Sequence, residues 1–114
     1  MIKIAFIGAG KMAEAILREL LRSGWVDAGG VVMSDVSEER LRQLEGQYGV
    51  GVTSSNAEAA SGSEVVLLAV KPQNMEDVLK EIAGSLRRGQ AVISIAMGKK
   101  IEFIEGFLPA GTEV

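Results

Sequence analysis

The chain has 114 residues, a net charge of −3, 47% hydrophobic residues and a positive mean hydropathy, and it contains neither Cys nor His. This composition fits one packed domain and excludes disulfides, thiolate catalysis and imidazole chemistry, while the interspersed charges leave no basic face or tail for nucleic acid. The longest apolar run, residues 65–70, is far short of the about 20 residues that span a membrane, and Met1 leads straight into a strand, so a cytoplasmic protein without nucleic-acid or membrane partners is expected.

Residues 2–7 form a short apolar run that ends at Gly8 and predicts a buried parallel strand. Residues 12–23 predict a helix. Ala13, Ile16, Leu17, Leu20 and Leu21 recur at three and four, and Glu14, Arg18, Glu19 and Arg22 take the other face. Gly24 stops it. Residues 31–34 predict a second strand. Residues 37–47 predict a second helix, with Ser37 as N-cap and Glu38 and Glu39 where the dipole favours acids. Residues 50–53 alternate as a short third strand. Residues 56–60 predict a brief helix entered through Ser54 and Ser55 and left at Gly62.

Residues 65–70 are nearly all aliphatic and predict a fourth, central strand, ended by Lys71-Pro72. Residues 74–86 predict a helix with Met75, Val78, Leu79, Ile82 and Leu86 on one face, closed at Gly89. Residues 91–96 predict a fifth strand and residues 101–108 a last helix, and residues 111–114 look like the start of an incomplete sixth strand. Regular alternation of strand and helix predicts an α/β fold over residues 1–114. The expected architecture is a Rossmann-type doubly wound parallel sheet of about five strands with helices on both faces.

Gly8-Ala9-Gly10-Lys11-Met12-Ala13 is a G-x-G-x-x-A pattern between a strand and a helix, the context of a dinucleotide-binding turn. Gly8 permits the tight turn, Gly10 lacks the Cβ that would block a pyrophosphate, and Ala13 lets the helix pack close to the strand. The N–H groups at the helix start, Met12 among them, then face the anion. Lys11 reads either as a neighbour of the phosphates or as a solvated surface lysine. Asp35 ends the second strand, where a carboxylate accepts from ribose hydroxyls and repels a 2′-phosphate; this favours NADH. The alternative is that Asp35 only caps the next helix. Ser34 and Ser37, with Arg40 nearby, are donors that NADPH would use, so both cofactors stay open; Arg40 alone reads as a solvated helix residue.

Phe6-Ile7-Gly8-Ala9-Gly10-Lys11-Met12-Ala13 resembles the opening of the pyrroline-5-carboxylate reductases, which close proline biosynthesis. Leu68-Ala69-Val70-Lys71-Pro72-Gln73, Ile93-Ser94-Ile95-Ala96-Met97-Gly98 and Asn56 match the same family in order. The resemblance implies hydride transfer from NADH or NADPH to 1-pyrroline-5-carboxylate. It also implies that Gly8, Gly10, Lys11 and Met12 line the pyrophosphate and that Asn56 meets the adenosine. Ala69, Val70, Lys71 and Pro72 would run beside the nicotinamide, and Ala96 and Gly98 would flank it. Lys71 also reads as an ordinary exposed lysine. Members of the family are longer and continue into a helical domain that builds the substrate pocket and the homo-oligomer. No catalytic residue and no metal ligand is therefore assigned here, and this chain alone is expected to bind nucleotide and turn over little. Asp35 departs from the NADPH-preferring members. Two other readings stand beside it: a reductase of the 3-hydroxyisobutyrate or 6-phosphogluconate dehydrogenase group, and a non-catalytic NAD(P)-sensing module.

Overall fold

The structure, a computed structural model, describes residues 3–87 and 89–95. The end of the predicted fifth strand, the helix over 101–108, the sixth-strand start over 111–114, and Ala96 and Gly98 lie outside these residues. The chain runs β1 (Ile4–Ile7), α1 (Lys11–Ser23), β2 (Val31–Ser34), α2 (Glu38–Tyr48), β3 (Gly51–Thr53), α3 (Asn56–Ser61), β4 (Val65–Leu68), α4 (Met75–Ala83) and β5 (Ala91–Ser94). Two 3-10 turns, Ala28–Gly30 and Pro72–Asn74, lead into β2 and α4.

The five strands pair in parallel in the order β3-β2-β1-β4-β5. In β1, Ile4 to Ile7 face Val31 to Ser34 on one side and Val65 to Leu68 on the other. All four β1 side chains are buried, as a central strand covered on both faces requires. Strand alternation divides the core in two. Ile4, Phe6, Met33 and Leu67 pack with Ala13 and Leu17 of α1 and Leu41 and Leu44 of α2. Ala5, Ile7, Val66, Leu68 and Val92 pack on the other face with α3 and α4 through Ala59, Met75, Val78, Leu79 and Ile82. Burying each of the larger side chains contributes about 1.5–3 kcal/mol, which makes the two-sided sheet the main stabilising unit.

The helix starts follow their caps. The Ser37 hydroxyl accepts from the Arg40 amide at 3.2 Å, and the Ser55 hydroxyl accepts from the Glu58 amide at 3.1 Å. Two expectations are corrected. The fourth strand stops at Leu68, although Ala69 still donates to the Ile7 carbonyl at 2.8 Å. Its neighbour β1 turns away at Gly8, so Val70 has no ladder to join on that side. The fourth helix covers Met75–Ala83 and not residues 74–86. Pro72 opens a 3-10 turn before it, and Gly84 costs about 1 kcal/mol inside a helix and ends it. Leu86 is nevertheless buried beyond the helix end. Chain order reverses between β1 and β4, so the carboxyl ends of β1, β2 and β4 flank the crevice where doubly wound sheets bind ligands.

Candidate functional site

The turn from β1 to α1 lies at that crevice. Gly8 has φ +101° and donates to the Ser34 carbonyl at 2.8 Å. A Cβ at Gly8 would sit 2.5 Å from the Ala69 carbonyl oxygen, so the turn packs directly on the chain leaving β4 and brings Ala69 and Val70 beside it. Gly10 is the N-cap of α1, contributes no side-chain cap, and has open space where a Cβ would stand. Among the described residues, the amides of Gly10, Lys11, Met12 and Ala13 donate to no protein acceptor. Four N–H groups thus meet at the positive end of a helix dipole, with no side chain over Gly10. Ala13 is almost fully buried, as close helix–strand packing needs. These features fit a pyrophosphate.

The β2–α2 corner grips this turn from behind. Asp35 accepts from the Ala9 amide at 2.8 Å through one carboxylate oxygen and from the Ser37 amide at 3.0 Å through the other. It therefore straps the glycine turn and shapes the entry to α2 at once, while Ser37 is the N-cap proper. Arg40 is not a solvated helix residue. Its Nε donates to the Ala9 carbonyl at 2.7 Å, and its Nη2 donates to the Gly10 carbonyl at 3.3 Å and to Glu14 at 2.7 Å. The Tyr48 hydroxyl donates to the second oxygen of Glu14. These partners lie in the glycine turn, on α1 and on α2, more than two dozen residues apart, so local spacing carried no signal of them.

Ser34 is fully buried. Its hydroxyl donates to Asn56 Oδ1 at 2.6 Å, with Phe6 O at 3.5 Å, so it supports the site from within and does not present a donor to an added phosphate. Asn56, the first residue of α3, passes its amide on to Glu81 of α4 at 2.9 Å. Lys11, Met12, Lys71 and Pro72 are exposed, and Ala69 and Val70 are half-buried. Val36, which no sequence pattern singled out, projects fully into solvent directly after Asp35. A separate cavity of about 320 Å³, lined by Lys3, Gly30, Gly51, Glu58 and Ser63 among others, lies mainly at the opposite, amino ends of the strands and includes no glycine-turn residue. Chemistry rather than depth therefore locates the site.

The hydrogen bond from Tyr48, reinforced by Arg40, holds the Glu14 carboxyl below its usual value of 4.5, and the same bond pushes the Tyr48 hydroxyl above its usual 10.0. Glu14 titrates lower when folded, so its stabilisation is present above pH 4.5 and is lost as pH falls through the lowered value. Tyr48 titrates higher when folded, so its stabilisation is present below pH 10.0 and is lost as pH rises through the raised value. Glu14→Gln is accordingly expected to lower the urea midpoint at neutral pH, with the gap to wild type closing below about pH 4. A gap that persists unchanged in acid would remove the carboxylate from this role.

The fold and the glycine turn together define a dinucleotide-binding type of α/β domain. Residues 3–98 match the family described as NADP oxidoreductase, coenzyme F420-dependent. The chain is 41% identical over 113 residues to pyrroline-5-carboxylate reductase 3 of Danio rerio, covering 99% of this chain and 39% of that protein. The solved pyrroline-5-carboxylate reductase of Coxiella burnetii superposes with a TM-score of 0.89 at 33% identity, over 96% of this chain and 40% of the other. The Plasmodium falciparum pyrroline carboxylate reductase, solved with NADP bound, superposes with a TM-score of 0.81 at 25% identity, over 96% and 38%. The chain belongs to the NADP oxidoreductase family and within it corresponds to the N-terminal NAD(P)-binding domain of the pyrroline-5-carboxylate reductases. It spans about two fifths of the length of the relatives it matches.

Proposed function

We propose that this chain is the nucleotide seat of an enzyme that reduces 1-pyrroline-5-carboxylate to L-proline with NADPH or NADH. The observation that carries this reading is the set of four unpartnered amides, Gly10 to Ala13, at the helix start beside an open Gly10. Gly8, Gly10, Lys11 and Met12 hold the pyrophosphate. Asp35 faces the adenosine ribose, and Asn56, held by the Ser34 hydroxyl, orients the adenosine. Ala69, Val70, Lys71 and Pro72, with Ala96 and Gly98, border the nicotinamide. The cofactor supplies the hydride when bound, and the chain's own work is to place it and shield one side of it. The substrate pocket and the contacts of a homo-oligomer belong to the remaining length of the relatives, and the working compartment is the cytoplasm. No helix among the described residues is long and apolar enough to cross a membrane.

Titration of the 114-residue chain with NADH and with NADPH by calorimetry tests the seat. Saturable binding of either nucleotide supports the reading, and binding of neither overturns it. Asp35→Ala is expected to raise NADPH affinity relative to NADH several-fold, because a carboxylate repels a 2′-phosphate and accepts from a 2′-hydroxyl. An unchanged ratio would leave Asp35 as a strap for the turn alone.

A further inference from the structure

We propose that Arg40 is a positioning residue that aims the amides of Gly10 and Lys11 at the bound pyrophosphate. This rests on the nucleotide reading above and deepens it. A peptide group is planar and trans, so its C=O and the following N–H point in opposite directions. The Ala9 carbonyl and the Gly10 amide belong to one such plane, and the Gly10 carbonyl and the Lys11 amide to the next. Arg40 holds both carbonyls, Nε on Ala9 at 2.7 Å and Nη2 on Gly10 at 3.3 Å. Holding the Ala9 oxygen on the α2 side turns the Gly10 N–H to the other side; the Gly10 oxygen also accepts from the Glu14 amide at 3.0 Å, so at the Lys11 N–H Arg40 reinforces what the first helical bond sets. Asp35 removes the Ala9 amide from that set by accepting from it at 2.8 Å. The β2–α2 corner thus selects which amides of the turn face a ligand.

The guanidinium is itself braced. Glu14, one turn into α1, accepts from Nη2 at 2.7 Å and also takes the Tyr48 hydroxyl. The Arg40 and Glu14 side chains are only 25% and 19% exposed, so water competes weakly for the pair. A rigid fork is suited to bridging three acceptors; the single ammonium of lysine is not. A turn fixed before binding does not lose its freedom on binding, which is where the gain in affinity arises.

The test compares wild type, Arg40→Ala and Arg40→Lys for NADH and NADPH affinity by calorimetry, with thermal melts as a check on folding. Arg40→Ala is expected to weaken both nucleotides by about tenfold, roughly 1.4 kcal/mol, with their ratio unchanged. Arg40→Lys is expected to recover part of the loss. Loss confined to NADPH would overturn the proposal, because Arg40 would then be touching the 2′-phosphate itself; so would unchanged affinity for both. Failure of the wild-type chain to bind either nucleotide would strike the underlying reading and take this inference with it. Should Arg40→Ala fold poorly, Tyr48→Phe removes the brace without altering charge. It is expected to weaken both nucleotides equally by about twofold to threefold, and an unchanged pair of affinities would overturn the proposal.

Discussion

Gly10→Ala is expected to leave the domain folded and to weaken NADH and NADPH binding by about a hundredfold, near 3 kcal/mol. The backbone at Gly10 has φ −79° and ψ −169°, an extended conformation that alanine adopts without strain. A Cβ there meets no protein atom within 4 Å. The only folding cost is a poorer N-cap, about 1 kcal/mol or less. The methyl group instead fills the space through which a pyrophosphate reaches the four open amides, and it holds the phosphate oxygens beyond hydrogen-bond distance. Calorimetric titration alongside a thermal melt separates the two quantities. Wild-type affinity in a folded Gly10→Ala chain would move the pyrophosphate elsewhere on the surface.

Gly8→Ala is expected to do the reverse, because its damage falls on the fold. Gly8 sits at φ +101°, where a side chain is strained whatever its surroundings. Its Cβ would also meet the Ala69 carbonyl oxygen at 2.5 Å and the carbonyl carbon at 2.9 Å. These are backbone atoms, anchored by the bond from the Ala69 amide to the Ile7 carbonyl, so they yield only if β1 and β4 separate. Strain and overpacking together cost about 3–5 kcal/mol. In a domain of this size that lowers the melting temperature by about 10–20 °C. A Gly8→Ala melt within a degree or two of wild type would mean that the turn relaxes away from Ala69.

These opposite outcomes for two glycines of one motif illustrate what each level of information supplies. The pattern Gly8-Ala9-Gly10 was legible in the sequence, as were the tight turn at Gly8 and the role of the missing Cβ at Gly10. That Gly8 also packs against the Ala69 carbonyl was not, because it depends on β4 lying next to β1, a fact of sheet order. Asp35 gives a similar lesson. Its place at the end of β2 was legible, but both of its oxygens are engaged by backbone amides of the turn and of the α2 entry.

The sequence alone determined the elements and their layering. Apolar runs, three-and-four spacing and serine caps act within a few residues, and a glycine turn between a strand and a helix carries its own chemistry. The lengths of β4 and α4 escaped it because a strand ends where its neighbour turns away and a helix ends where the tertiary packing no longer offsets a glycine. Only the tertiary structure decided the network behind the site: Arg40 on the Ala9 carbonyl across 31 residues, Ser34 on Asn56 across 22, and Asn56 on Glu81 across 25. Such contacts depend on the stacking of whole elements and on the direction of single side chains. Neither leaves a periodic trace in the order of the residues.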